Sequence, residues 1–262
     1  MSIAALLPHL PLFERLQVLA RLHGEKLRPA VYAVPGDAGA IGQNVILRPP
    51  SNEGDLILHD MTIAGADSSR LPIAKLDVNG VQYFGTGVRL DAIPNALNAP
   101  IVVRVGNQAV VALTAGASTF GTLVGYFSGF HCSTRFSELV RRSGELFASQ
   151  RTFTSVSGAQ EIQLTRHTLL DAIIMPTTGQ TITEMWIRIA DKLMTPIAFT
   201  SEPTQLFSPD RGMGRSGSTA VVNPGVSPRC QVEVPAGNTI RMRCTTSGTV
   251  VLVALGRQVY AQ

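Results

Sequence analysis

The sequence predicts a mainly β chain: two tandem eight-stranded sandwiches, an N-terminal amphipathic helix and a helix linking the two units. Three observations predict it. Apolar residues come in short runs separated by turn chemistry, about eight runs per half, which is the pattern of a sandwich or barrel. The chain also repeats itself. Moved forward by 111 positions, Leu58 falls on Leu169, Asp60 on Asp171, Ile63 on Ile174, Leu71 on Ile182, Leu76 on Ile187 and Val78 on Ile189. A second block, at an offset of 131, carries Gly106-Asn107 onto Gly237-Asn238, Ala109 onto Ile240, Val111 onto Met242, Leu113 onto Cys244 and Thr114 onto Thr245. The offset grows by 20 because the second half holds a Gly/Ser/Pro-rich stretch, Ser208 to Pro228. Self-similarity of this kind is a statement about architecture. Finally, helical periodicity is confined to two short stretches.

The first stretch lies in residues 1–28, an N-terminal helical arm. Pro11 suits a first helical turn. Leu12, Leu16, Leu19 and Leu22 then form one apolar stripe, with Glu14, Arg15, Gln17 and Arg21 polar and Gly24 as a stop. The stripe either packs on its own unit or a neighbour, or lies on a membrane surface. Residues 29–131 read as the first sandwich, with strands at 30–34, 43–48, 56–63, 73–78, 81–90, 101–105, 108–114 and 119–127. Asn79-Gly80 between two alternating runs is a two-residue hairpin signal. Residues 132–150 read as the linking helix, capped by Ser133 or Thr134 and ending near Ala148, with Phe136, Leu139, Val140 and Phe147 apolar. Residues 151–262 read as the second sandwich, with strands at 161–165, 169–175, 184–190, 194–200, 218–222, 230–234, 239–245 and 249–255.

Composition narrows the function. Charged residues make up only 15% of the 262 residues, against an average near ~25%. A free monomer usually carries more solvated surface, so an assembly is indicated. Of 22 basic residues only Lys26, Lys75 and Lys192 are lysine; the rest are arginine, the cation enriched in protein interfaces. A genome that prefers arginine codons would give the same bias. No apolar run reaches the ~20 residues of a membrane helix, and the N-terminus lacks the basic start of a secretory signal. Cys132, Cys230 and Cys244 are isolated and read as buried thiols, with a Cys230–Cys244 bridge left open.

Catalytic and binding signatures are absent. His9, His23, His59, His131 and His167 stand alone, so no metal-ligand set forms and no cofactor is expected. Asp60 and its counterpart Asp171 read as turn or edge positions. Gly212-Met213-Gly214-Arg215-Ser216-Gly217 fits G-x-G-x-x-G, but a β-branched run follows it instead of a helix, so it reads as a flexible loop. Nucleophile motifs and paired acids are missing, and Trp186 alternates within a strand. Basic residues interleaved with stacking aromatics do not occur, so nucleic-acid binding is not expected. The expectation is a protein that is not an enzyme.

Two eight-stranded units in tandem make jelly rolls the economical architecture, a fold shared by viral capsid proteins, lectins and cupins. Over Pro29–Gln262, in layout, length and strand-turn patterns such as Leu71–Phe84 and Ile182–Met194, the chain resembles the double jelly-roll major capsid proteins of tailless dsDNA bacteriophages of the tectivirus and corticovirus type. The resemblance implies a homotrimer with a pseudo-hexagonal outline that tiles an icosahedral virion shell, built in the host cytoplasm. Its partners would be itself, neighbouring capsomers, other virion proteins and an internal membrane reached by the N-terminal helix. Expected contact residues are Leu12, Phe13, Leu16 and Leu19 in that helix, Arg135, Arg141 and Arg142 in the linking helix, and Arg211 and Arg215 in the long loop. Two other readings stay open: a decoration, vertex or head–tail protein of a tailed phage, and a carbohydrate-binding or glycan-processing module.

Overall fold

The computed structural model describes residues 7, 10–36, 44–66, 73–83, 88–89, 99–113, 119–154, 158–175, 182–189, 192–194, 204–208, 212–215 and 232–260. The chain divides into two compact units, Met1–Leu146 and Phe147–Gln262.

Unit 1 opens with helix α1, Leu12–His23. Its N-cap is Pro11, and Gly24 ends it in the left-handed conformation (φ 65°), which returns the Glu25 N–H to the Ala20 carbonyl at 2.9 Å. Strands β1 (Arg28–Pro35), β2 (Asn44–Leu47), β3 (Asp55–Ala66), β4 (Ile73–Val78), β5 (Val81–Gln82), β6 (Val88–Arg89), β7 (Ile101–Val103), β8 (Ala109–Leu113) and β9 (Thr119–Cys132) follow. They form two antiparallel sheets, ordered β1-β9-β3-β7 and β2-β8-β4-β5, with β6 also on β4. Lettered B to I along the chain, with β5 and β6 together as F, that is B-I-D-G opposed to C-H-E-F, the jelly-roll order. Asn79 and Gly80 both have positive φ (55° and 79°), so the hairpin turn is the type that matches strand twist. Helix α2, Thr134–Arg142, closes the unit.

Unit 2 repeats the plan. Its strands are β10 (Glu145–Phe153), β11 (Gln160–Gln163), β12 (His167–Met175), β13 (Ile182–Ile189), β14 (Lys192–Met194), β15 (Thr204–Ser208), β16 (Gly212–Arg215), β17 (Val232–Val234), β18 (Thr239–Thr246) and β19 (Val250–Val259). One sheet runs β11-β18-β13-β14, again C-H-E-F. In the other, β10, β19, β12 and β17 are B-I-D-G. The hairpin β15–β16 is inserted between F and G and lies on the same edge of β12 as β17 does.

Register carries the repeat to single residues. In unit 1, Leu76 faces Val111 and Val78 faces Ala109. In unit 2, Ile187 faces Met242 and Ile189 faces Ile240. These pairs are the ones the two sequence offsets bring together. Both G–H turns place a glycine with positive φ third, Gly106 (77°) and Gly237 (85°). They close with Asn107 N–H on the Arg104 carbonyl and Asn238 N–H on the Pro235 carbonyl.

The D strands correct the alignment by one residue. Leu58 pairs with Gly129, and the ladder then bulges before Asp60. Leu170 pairs with Gly256, and the ladder bulges before Ala172. Leu58 therefore matches Leu170, and the bulged residues are His59 and Asp171. A bulge leaves one residue unpaired, which a fixed offset cannot register.

Some described elements differ from the sequence reading. The second helix stops at Arg142 instead of running to Ala148, and 145–153 is strand B of unit 2. Its helical spacing loses to pairing with β19, a choice that depends on a strand 100 residues away. The G-x-G-x-x-G segment, expected as a flexible loop, supplies strand β16 at Gly212–Arg215; its last two residues lie outside the described ones. The expected strand at 218–222 also lies outside them.

Cores follow the alternation of strands. On β18 the pattern turns Ile240, Met242, Cys244 and Thr246 inward. Ile240, Met242 and Cys244 pack with Phe153, Leu164, Leu170, Leu252 and Ala254 in unit 2, each buried Leu, Ile, Met or Phe side chain contributing roughly 1.5–3 kcal/mol by leaving water. A second core cluster in unit 1 gathers Leu12, Leu16 and Leu19 of α1, Phe136 and Val140 of α2, and Ile57 and Cys132 of the sheet.

Candidate assembly surface

A buried carboxylate organises one end of unit 1. Asp55, at the start of β3, is only 1% exposed. It accepts the Val105 N–H of the G–H turn at 2.9 Å and the Ser137 hydroxyl of α2 at 2.5 Å. Glu25, just past α1, accepts the Ser133 N–H at 2.8 Å and its hydroxyl at 2.7 Å, while that Oγ accepts the Phe136 N–H. The N-cap of α2 is thus held by the segment that ends α1. On the outer side of α2, Glu138 meets Arg141 at 2.7 Å, Arg142 at 3.4 Å and Arg104 at 3.7 Å. Hydrogen bonding from Arg141 leads in lowering its carboxyl to about 2. Arg141 also reaches Glu145 at 3.0 Å.

Each expected contact residue has a place. Leu12, Leu16 and Leu19 are buried among α2 and the sheet, so this part of the α1 stripe is spent inside the unit, whereas Leu22 is exposed. Phe13 stays exposed and leans on His59 and Phe130, ring centres 6.3 and 5.7 Å away. Arg135 and Arg142 are exposed, and Arg141 is held by its two carboxylates. Arg215 stands opposite Gln205 in the β15–β16 hairpin; Arg211 lies outside the described residues. The structure therefore brings Arg141 and Arg142 together on Glu138, with Arg104, which the sequence reading did not name. An open groove of about 300 Å³ runs beside α1, lined by Gln17, Ala20, Arg21, Glu25, Leu27 and Phe130.

Sequence reasoning missed an apolar surface on β1 and β9 of the B-I-D-G sheet of unit 1. β1 is an edge strand paired to β9, with Val31 opposite Ser128 and Ala33 opposite Tyr126. Pro29, Val31, Ala33 and Pro35 point outward, as do Val124, Tyr126, Ser128 and Phe130, while Gly125, Phe127 and Gly129 point in. Val31 is 77% and Tyr126 47% exposed. The signal was legible: Pro29 to Pro35 is apolar on both faces, although a half-solvated strand should alternate. Pro29 and Pro35 fit an edge whose N–H side faces outward.

Reactive groups are quiet. Burial pushes the Cys132 thiol up to about 12, with Glu25 and Asp55 adding to it, and burial alone pushes Cys244 up to about 11. Both are free thiols, and Cys230, the other end of the bridge left open to Cys244, lies outside the described residues. Among the described residues no three of His, Cys, Asp and Glu converge as a metal site, and no helix is long and apolar enough to cross a membrane.

No protein-family model matches the chain, and no curated protein is a significant match. Among solved structures the chain is similar to the major capsid protein P2 of bacteriophage PM2, at 10% identity over 89% of this chain and 99% of that one, with a TM-score of 0.44. A chain of the Sputnik virophage matches at 10% identity over 88% and 85%, TM-score 0.34. A chain of the Sulfolobus turreted icosahedral virus matches at 11% over 90% and 94%, TM-score 0.22. These are distant likenesses; the strand order identifies the fold by itself.

Proposed function

We propose that this chain is a structural virion protein, the major capsid protein of an icosahedral shell, which acts as a homotrimer. One observation carries the reading: a single chain holds two jelly rolls with the same strand order and the same E–H register. Closed symmetric oligomers repeat one contact patch around an axis. A trimer of a two-unit chain offers six similar bodies and so fills a hexagonal lattice position with three-fold symmetry. Weak contacts repeated across a lattice then add up through multivalency. The low charge and the arginine bias suit surfaces that end up against protein.

In this reading the partners are other copies, neighbouring capsomers and other virion proteins. α1 offers Phe13 and Leu22 outward, so an apolar contact with a membrane or a neighbour would use them. The test is the mass of the purified protein by light scattering, followed by imaging. Three chains of 27.9 kDa give a particle of about 84 kDa with a six-sided outline. A monomer at micromolar concentration overturns the reading.

A further inference from the structure

One charged cluster in unit 1 is more elaborate than the fold requires. The backbone of the G–H turn is pinned from two sides. Asn79 Oδ1 accepts the Arg104 N–H at 3.1 Å, and Asp55 accepts the Val105 N–H while its other oxygen takes the Ser137 hydroxyl of α2. Arg104 is thereby set beside the outer stripe of α2, where Arg135, Glu138 and Arg142 recur at helical spacing. Unit 2 builds the same turn and strand without these groups. Pro235 stands at the turn position of Arg104, each supplying the carbonyl that closes its turn. His167, opposite Val259, stands where Asp55 stands opposite Cys132. A jelly roll therefore forms without either residue. The cluster also holds more cation than its carboxylates use. Arg141 takes both oxygens of Glu138, at 3.0 and 2.7 Å, and turns its Nη1 to Glu145 at 3.0 Å. Arg104 and Arg142 come second to Glu138, at 3.7 and 3.4 Å, with side chains 55% and 68% exposed. The first distance is beyond hydrogen-bond range and the second at its outer limit. Among the described residues no other carboxylate meets either arginine.

We propose that Arg104 and Arg142, with Arg135 further along the stripe, form the docking surface for an acidic segment of a partner protein. This rests on the virion-protein reading above and gives one of its partner contacts a place and a chemistry. Charge complementarity selects the occupant. The anions already seated in the cluster are carboxylates, and Arg141 on Glu138 shows the forked fit that a guanidinium makes with one. A nucleic acid draws its affinity from a track of cations, and an acidic membrane from a polybasic cluster. Here Glu138 and Glu145 sit among the arginines, and they would repel a continuous row of phosphates. A protein segment with separated carboxylates passes on either side of Glu138, one to Arg104 and one to Arg142. Asn79 and Asp55 hold the turn and the helix in place beforehand, so little freedom is lost on docking.

The experiment uses the full chain and a fluorescein-labelled decaglutamate peptide, read by fluorescence anisotropy at low salt. The variants are Arg104→Gln, Arg142→Gln and their double, with Arg243→Gln as a control on an exposed arginine of unit 2. Circular dichroism confirms folding. The wild type is expected to bind, Arg243→Gln to bind as the wild type does, and the folded double variant to bind at least about tenfold more weakly. A wild type that does not bind, a double variant that binds as well as the wild type, or a loss that Arg243→Gln shares in full overturns the inference. Should the double variant fail to fold, Arg142→Gln decides, since its side chain is mostly exposed: unchanged affinity overturns the site. Oligodeoxythymidine or phosphatidylglycerol vesicles that displace the peptide, and whose own binding the double variant loses, would replace the acidic segment with a phosphate-bearing partner. Light scattering on the same samples separates this surface from the trimer. A monomeric wild type that binds the peptide through Arg104 and Arg142 overturns the trimer and keeps the surface, and a trimer that ignores the peptide does the reverse.

Discussion

At the residue scale, the chain places its few charges where they hold elements together. Asp55 is a buried carboxylate with two donors from different elements, the Val105 N–H and the Ser137 hydroxyl. Asp55→Ala leaves both donors buried without an acceptor. It is expected to cost about 3 kcal/mol, read as a lower urea midpoint with an unchanged slope. Asp77, whose bond to the Gly80 N–H is exposed, makes a suitable comparison and should cost under about 1 kcal/mol. Glu138 gives a pH dependence. Its folded value, about 2, lies below its ordinary 4.5. The stability it contributes is complete above about 4.5 and is lost as pH falls towards 2. Glu138 is a third exposed, so solvent screens part of this effect. Acid unfolding curves of Glu138→Gln should be flatter over that window than those of the wild type, and parallel curves would deny Glu138 the role. The partners of Asp55 could not be read from the sequence, because Asp55, Val105 and Ser137 meet only after the sheet and α2 have formed.

Elements were more legible than their ends. The stripe of α1, the Asn79-Gly80 hairpin and the run of β4 lie where spacing and turn chemistry put them, since each is fixed by neighbours within a few residues. From Glu145 to Ala148 local spacing suits a helix, and only the backbone of β19 makes this segment part of a strand. The bulges at His59 and Asp171 were invisible for the same reason: a ladder shift exists only between two strands. At both places the I strand approaches so closely that only glycine fits. Gly129→Ala and Gly256→Ala should each destabilise by roughly 1–3 kcal/mol through overpacking against backbone. Thermal melts would check this. Gly24→Ala is the control: no atom lies within 4 Å of the added methyl, so only the left-handed backbone is penalised, at about 1 kcal/mol. Equal costs at all three glycines would refute the close-approach account.

For the whole molecule, the candidate contacts divide into two chemistries that salt can separate. Three of the arginines named from sequence, Arg135, Arg141 and Arg142, lie on α2 outside its buried side, where charge is screened over about 8 Å at physiological ionic strength. The face of Val31, Ala33 and Tyr126 is apolar. If that face builds the oligomer, its mass measured by light scattering should be unchanged or slightly favoured in 0.5 M sodium chloride. Dissociation on adding salt would return the role to the arginines. The same apolar chemistry gives the interface a heat-capacity signature, negative on association, that titration calorimetry can follow.

The sequence alone determined the strand periodicity, the turns, the two helices and the duplication, because each rests on spacing that a linear chain displays. It also marked β1 as apolar on both faces without saying why. Tertiary structure decided which strand opens unit 2, where the D strands bulge, and which apolar surface is spent inside the chain. The stripe of α1 and the face of β1 are both apolar as sequence. One is buried by α2 and the sheet and the other is bare, and burial is a property of what lies opposite in space.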